Sequence, residues 1–186
     1  MNRHIREFLS LNCASDLLAL KVFSRNSAAK EITESMAAFS AVQRIVMPRT
    51  GISYSDTNVN VFVVGDGFMP RTGALFAMRT RWNVVSIDPN MRPFTGGVKR
   101  LTTMRSRIED AHLDFPQGIL NTMALIVLVH SHATIKVCLE AIRFPERYVV
   151  AIPCCVPLDI PNKTYYGYTD TAIWSPKNQV KVWLNV

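Results

Sequence analysis

Four short apolar runs organise the chain after its first 58 residues. They are rich in β-branched residues and cover residues 59–64, 83–87, 124–129 and 148–152. Because each run is almost continuously apolar, the pattern is typical of central strands in a parallel sheet that is covered on both faces. Helix-compatible stretches at residues 73–80 and 133–143 lie between the runs. This alternation predicts an open α/β sheet built by right-handed crossovers.

Weaker signals complete the predicted sheet. A further strand is expected over residues 98–104 or 101–108, where the apolar pattern is looser. Near the end of the chain, residues 172–174 and 180–184 are expected to form an antiparallel pair at one edge.

The first 50 residues follow a helical period instead. A stripe of apolar residues at spacings of three and four predicts a helix over residues 27–46; it consists of Ile32, Met36, Phe39, Val42 and Ile45. Asn26 or Ser27 is expected to cap this helix, and Pro48 and Gly51 to end it. A less regular helix is predicted over residues 2–23. We therefore expect an N-terminal helical appendage (1–50), a linker (51–58) and a main domain (59–186), with the appendage offering a surface for a protein partner.

Composition narrows the class of protein. A chain of 186 residues with 48% hydrophobic and 19% charged residues is expected to fold around one core and not to be disordered. Its longest apolar run, residues 123–129, is far shorter than the roughly 18 residues that a membrane span needs, so no membrane segment is expected. Four cysteines without a secretory signal favour a reducing, intracellular and cytoplasmic location. A mitochondrial presequence stays open as an alternative.

The net charge of +7 is concentrated in one segment. Residues 68–108 hold eight Lys and Arg residues and a single Asp. Such a concentration suits RNA or another anionic partner, although scattered surface arginines serve solubility equally well.

Candidate chemistry follows the ends of the first two predicted strands. Gly65, Asp66 and Gly67 follow the first strand, and two glycines allow a tight turn that comes close to a ligand. Asp88 follows the second strand, 21 positions after Gly67. An acid at this distance, at the end of the next strand, is placed to accept hydrogen bonds from ribose hydroxyls. The two strand ends together predict a nucleoside site at the carboxyl edge of the sheet.

With these residues the chain resembles the class I S-adenosylmethionine-dependent methyltransferases, over roughly residues 59–186. The resemblance implies a Rossmann-like, mostly parallel sheet with helices on both faces, and S-adenosylmethionine as cofactor. It implies that the turn at Gly65, Asp66 and Gly67 receives the methionine part and that Asp88 holds the ribose. Ile108-Glu109-Asp110 is similar to a third family motif, so Glu109 and Asp110 are candidates to meet the adenine amino group.

Two later segments resemble one branch of that family. Residues 128–134 are similar to its His-x-Cys segment, with His132 in place of the Cys, and residues 152–155 to its Pro-Cys-Cys segment. Several members of that branch are assigned to RNA. The resemblance therefore implies direct methyl transfer to RNA or to a nucleotide-containing substrate.

Departures from the family keep other functions open. Val63 stands where the family usually has an acid, and Met69 where it has a third glycine. A catalytically inactive, methyltransferase-like binding or assembly module is therefore the main alternative. A dinucleotide-dependent oxidoreductase is disfavoured because the turn lacks its third glycine.

The remaining candidates concern the substrate. His130 follows the fourth predicted strand and is the candidate catalytic base or substrate-orienting group; a loop or capping role is the alternative. Arg71 and Arg92 are expected to bind phosphates, and Tyr165 and Tyr166 to stack on bases. His130 and His132 have a spacing that two metal ligands can have. No third ligand cluster accompanies them except the cysteines Cys154 and Cys155, which are remote in sequence, so no metal site is expected.

Overall fold

The computed structural model describes residues 1–111, 113, 123–155, 160, 163 and 165–186. Strands from this part of the chain form one central sheet: β1 (Val59–Val64), β2 (Asn83–Ile87), β3 (Leu101–Met104), β4 (Met123–Val129), β5 (Glu146–Ile152), β6 (Tyr166–Thr169) and β7 (Gln179–Trp183). Their order across the sheet is β3-β2-β1-β4-β5-β7-β6. The first five strands run parallel, and β7 is antiparallel to both β5 and β6. This confirms the predicted fold class, an open, mostly parallel, Rossmann-like α/β sheet.

Helices cover both faces of the sheet. They are α1 (Arg3–Leu9), α2 (Ala14–Ala19), α3 (Ala28–Ala41), a π-helical turn (Val42–Val46), α4 (Met47–Thr50), α5 (Arg71–Arg79), a 3-10 turn (Ile108–Asp110) and α6 (Ile135–Ala141). One face packs against α3 and α5, and the other against α6 and the 3-10 turn. Among the described residues, no helix has the length and apolar character to cross a membrane.

Strand β4 shows why its sequence is apolar throughout. Its residues Met123, Leu125, Val127 and Val129 belong to the core beneath α3 and α5. The alternate residues Ala124, Ile126 and Leu128 belong to the core beneath α6. All seven are buried, because successive side chains of a strand point to opposite faces and both faces are covered.

Helix α3 is buried more completely than its apolar stripe predicts. Residues 32–41 are all buried, since α1, α5 and three strands contact the helix from several sides. Its core residues are continuous with those of β1 and β4. Residues 1–50 thus contribute to the core of the sheet, while the division of the chain into an appendage, a linker and a domain stays a prediction.

The predicted stop at Pro48 is wrong. Before this residue the helix widens into the π-helical turn, in which the Met47 N–H donates to the Val42 carbonyl. A proline has no N–H to donate, and it is tolerated in the first turn of the helical segment that follows, α4. The helix ends at Gly51, which adopts φ +73°, as the sequence indicated. The single helix predicted over residues 2–23 is divided into α1 and α2.

The edge pair also differs from its prediction. Strand β7 pairs with β6, whereas residues 172–174 form turns. Strand β6 has only one half-buried residue and three exposed ones, so it carries no apolar alternation by which it can be recognised.

Candidate functional site

The connection between β1 and α5 is a glycine turn in left-handed backbone conformation. Gly65 has φ +78° and Gly67 has φ +86°, values that residues with a side chain adopt only at a cost. A Cβ atom on Gly65 would lie 2.6 Å from the Ser131 Oγ atom. Both the backbone angle and the close approach of Ser131 therefore require glycine at position 65.

Asp88, which directly follows β2, is attached to this turn. Its Oδ2 atom accepts a hydrogen bond of 2.9 Å from the Gly67 N–H, and its Oδ1 atom accepts one of 2.7 Å from the Asn90 N–H. Its side chain is largely buried, with the residue 8% exposed. Because the two oxygens of a carboxylate together accept about four hydrogen bonds, Asp88 keeps capacity for a ligand.

These groups line a cleft at the carboxyl edge of the sheet. Its volume is about 580 Å³, which lies within the range of about 300–1,000 Å³ that is usual for ligand pockets. Its walls come from the ends of β1, β2 and β4 and from the 3-10 turn. The cleft brings together six of the residues predicted for the cofactor, the catalytic step and the substrate: Gly65, Gly67, Arg71, Asp88, Glu109 and His130.

Asp66 points away from this cleft. Its carboxylate accepts hydrogen bonds from the Thr72 and Gly73 N–H groups, at 3.0 and 2.9 Å, and from the Ser86 hydroxyl at 2.7 Å. It thus holds the N-terminus of α5 against β2. Burial raises the pKa of Asp66, although the charge of Arg71 and the three hydrogen bonds favour its ionised form. A cofactor contact for Asp66 stays a prediction.

The remaining predicted residues also lie outside the cleft lining. Asp110 is the last residue of the 3-10 turn and is exposed. The Arg92 guanidinium lies over the Phe68 ring, 5.1 Å from its centre. Tyr165 packs against Trp183, with ring centres 5.3 Å apart, and Arg49 lies 4.4 Å from the Tyr166 ring centre. The two tyrosines belong to the β6 edge of the sheet, so the structure does not group them with Asp88.

A buried glutamate of α3 completes the wall behind His130. The Oε1 atom of Glu34 lies 2.9 Å from the His130 Nε2 atom, and Glu34 is only 1% exposed. Lys30 lies 3.5 Å from the same oxygen, and Arg71 lies 4.0 Å from Oε2. Sequence reasoning missed Glu34 because it falls off the apolar stripe of its helix, where exposure to solvent is the usual outcome.

The charge of Glu34 is stabilised despite its burial. Burial alone would raise its pKa, but the hydrogen bond with His130 and the charges of His130, Lys30 and Arg71 hold the pKa below its ordinary value. Glu34 is therefore an anion that fixes the His130 ring and the Arg71 side chain at the cleft. His130 itself has φ +53°, a strained conformation for a residue with a side chain.

A parallel sheet with a glycine turn after β1 and a buried acid after β2 is typical of nucleotide-binding α/β proteins. Among solved structures, the chain is similar to MtNAS in complex with MTA and tNA, with a TM-score of 0.53 and 13% identity over 97% of this chain and 68% of that one. It is also similar to a point mutant of MtNAS in complex with S-adenosylmethionine, with a TM-score of 0.48 and 13% identity over 97% and 76% of the two chains. A SAM-dependent methyltransferase from Leishmania major matches with a TM-score of 0.47 and 11% identity over 91% and 81%.

At these identities the likeness to MtNAS shows the fold alone. No protein-family model and no curated protein matches the sequence.

Proposed function

We propose that the chain binds S-adenosylmethionine in the cleft and transfers its methyl group directly to RNA or a nucleotide-containing substrate. The observation that carries this proposal is the attachment of Asp88 to the glycine turn, through the 2.9 Å hydrogen bond from Gly67, at the wall of a cleft of about 580 Å³. An acid and a turn in this arrangement fit the ribose and the methionine part of the cofactor.

Different residues of the cleft bind different parts of S-adenosylmethionine in this proposal. Gly65 and Gly67 present backbone without side chains, Asp88 accepts hydrogen bonds from the ribose, and Glu109 accepts one from the adenine amino group. The bound cofactor supplies an electrophilic methyl group on a sulfonium, and the protein contributes mainly by holding the methyl acceptor in line with it. His130 orients the acceptor, because its ring lines the cleft and is fixed by Glu34.

Calorimetry with S-adenosylmethionine tests the cofactor site. The wild-type protein should bind the cofactor, and Asp88→Ala should weaken binding at least about 100-fold. The two ribose hydroxyls donate to this carboxylate in the proposed site, and each hydrogen bond to a charged group contributes about 1.5–3 kcal/mol. Asp16→Ala is the matched control, because it removes the same charge from an exposed position on α2. Unchanged affinity in Asp88→Ala would place the ribose elsewhere, and no binding by the wild type would contradict the whole proposal.

The proposal of an RNA substrate is supported by two arginines, Arg71 and Arg107, which line the cleft beside Asp88. Arginines bind phosphates, and such binding weakens as salt concentration rises. In titrations with single-stranded RNA at several salt concentrations, Arg107→Gln should reduce the salt slope by about 0.7. Arg25→Gln, an exposed arginine on the turn before α3, should leave the slope unchanged. Equal slopes for the wild type and Arg107→Gln would count against RNA at this cleft.

A binding module without turnover is the second candidate. It is favoured by Val63, which is fully buried in β1 where the resembled family has an acid. In that case Leu9 and Leu18, which are 56% and 46% exposed on α1 and α2, offer a surface for a protein partner. Binding of S-adenosylmethionine without transfer of its labelled methyl group to RNA or protein would favour the module. Transfer that is lost in His130→Ala, with cofactor affinity unchanged, would favour the enzyme.

A further inference from the structure

Three possible metal ligands meet at the rim of the cleft. Val129 of β4 pairs with Ile152 of β5, and both strands run in the same direction. His132 lies three positions beyond Val129, and Cys155 lies three positions beyond Ile152. The register of the two strands therefore brings together side chains that are 23 positions apart in sequence. The expectation that no metal site exists rested on that sequence separation alone.

The distances between the three donor atoms are short. The Cys155 Sγ atom lies 3.3 Å from His132 Nε2 and 3.4 Å from Cys154 Sγ. All three donor atoms lie within 4.8 Å of one another. In a tetrahedral zinc site, bond lengths of about 2.3 Å to sulfur and about 2.05 Å to nitrogen place two sulfurs about 3.8 Å apart, and sulfur and nitrogen about 3.6 Å apart. For the two pairs that include Cys155, shifts of about 0.3–0.4 Å give coordination distances. The third pair, Cys154 and His132, lies within 4.8 Å and has to close by about 1.2 Å at most.

The surroundings give an ion access from solvent. His132 and Cys155 are exposed and Cys154 is half-buried. The Cys154 S–H donates a hydrogen bond of 3.6 Å to the His130 carbonyl oxygen, and the thiol gives up this bond when it loses its proton to bind a metal. His132 itself lines the cleft that contains Asp88. Two thiolates, one imidazole and an open fourth position form the donor set of catalytic zinc sites.

We propose that His132, Cys154 and Cys155 bind one Zn²⁺ ion at the rim of the cleft, with the fourth coordination position open to water or to a substrate oxygen or sulfur. The site stands independently of methyl transfer, since its donors are not the residues that we assign to the cofactor. Its open position lies next to the cleft, so the ion can hold a substrate group there as a Lewis acid.

The other two cysteines provide an internal contrast. Cys138 lies on α6 and is fully buried where this helix packs on the sheet. Burial together with the charge of Glu109 raises the pKa of Cys138 to about 12. Burial also raises the pKa of Cys13, which is half-buried next to α2. Because thiolates, not thiols, bind metals, these two residues should not compete for the ion.

Cobalt titration of the reduced full-length protein tests the site. Co²⁺ replaces zinc in such sites and gives a sulfur-to-metal charge-transfer band in the near ultraviolet. We expect one equivalent of Co²⁺ to bind and one equivalent of Zn²⁺ to displace it. Cys155→Ser and His132→Ala should each weaken binding more than about 100-fold, since loss of even an outer-shell partner costs about 10–100-fold.

Cys13→Ser is the matched control and should leave the titration unchanged. Because Cys155 is exposed, Cys155→Ser should keep the wild-type circular dichroism spectrum, so a lost band reports a lost ligand and not a lost fold. Elemental analysis after gel filtration should find one zinc per chain in the wild type and in Asp88→Ala alike, which separates this proposal from the cofactor site. Absence of the charge-transfer band, its survival in Cys155→Ser, or a Cys154–Cys155 disulfide that persists under reducing conditions would overturn the proposal.

Discussion

Gly65 combines a left-handed backbone angle with a close neighbouring side chain, and Gly65→Ala measures both constraints. Two separate costs arise. The residue has φ +78°, and an L-residue in the left-handed region costs about 1–2 kcal/mol. The new Cβ atom would also lie 2.6 Å from Ser131 Oγ, 2.9 Å from its Cβ and 3.0 Å from its Cα. Overpacking of this kind costs about 1–3 kcal/mol, so we expect a total destabilisation of about 2–5 kcal/mol.

Gly51→Ala separates the two costs. Gly51 has φ +73°, nearly the same backbone angle, but a Cβ atom there would meet nothing within 4 Å. This control should lose only about 1–2 kcal/mol. Equilibrium unfolding in urea, followed by circular dichroism, gives both values under the same conditions.

A second substitution identifies the source of the crowding. Ser131→Gly removes the two side-chain atoms that the new Cβ would meet, so the double variant Gly65→Ala/Ser131→Gly should recover part of the loss. The coupling energy between the two changes should lie in the range of about 0.5–3 kcal/mol that is usual for residues in contact. If Gly65→Ala costs no more than Gly51→Ala, or if the double variant shows no coupling, the close packing of β1 against the end of β4 is refuted as the reason for this glycine.

Two further substitutions test the buried carboxylates. Asp66→Asn replaces one accepting oxygen by an NH₂ group that faces the Gly73 N–H, so unfolding in urea should show a loss of about 1–3 kcal/mol from the unsatisfied donor. Asp16→Asn, which changes an exposed acid in the first turn of α2, should lose about 0.5 kcal/mol. Equal losses would contradict the role of Asp66 as acceptor at the N-terminus of α5. Asp170 binds Arg3 through both oxygens, at 2.9 and 2.8 Å, and His4 at 2.8 Å. Burial would raise the pKa of Asp170, but these partners and the Ala172 N–H hold it below its ordinary value. The stabilisation that the charge of Asp170 gives to the folded state is therefore complete above the unfolded-state pKa of about 3.9. It is lost as pH falls through the lower folded-state pKa. The stability difference between the wild type and Asp170→Asn should shrink over that acid range, and a constant difference would show that the charge does not matter.

The central strands were predictable because their burial is decided locally. In β4 both faces are covered, so seven consecutive apolar residues stand out in the sequence. The glycine turn and Asp88 were predictable for a related reason, since parallel strands end at the same edge of a sheet. Here the order of elements along the chain was enough to place the residues close together.

Other features depend on contacts that the local pattern does not contain. Glu34 is separated from His130 by 96 positions, and only the packing of α3 across the ends of the strands buries it. The pairing of His132 with Cys155 depends on the exact register of β4 and β5, in which a slip of one residue would separate the donor atoms. Strand β6 forms because β7 offers a free edge, not because its own sequence alternates.

The structure also limits how many cationic residues of the segment 68–108, which carries the excess positive charge, are available to bind RNA. Four of its eight cationic residues contact groups within the chain: Arg71 contacts Glu31, Arg79 the Phe39 and Tyr54 rings, Arg92 the Phe68 ring, and Arg100 the Thr80 carbonyl. If all eight residues of the segment bound phosphates of single-stranded RNA, the salt slope would be about −5.6. If only the cleft arginines do so, it would be about −1.4 when both Arg71 and Arg107 bind, and about −0.7 when Arg71 keeps its contact with Glu31. The geometry favours the shallow slope, because an arginine that is engaged within the fold must break that contact before it binds a phosphate. A slope near −5.6 would mean that RNA binds across a surface far wider than the cleft, and substrate recognition would then have to be sought outside the residues around Asp88.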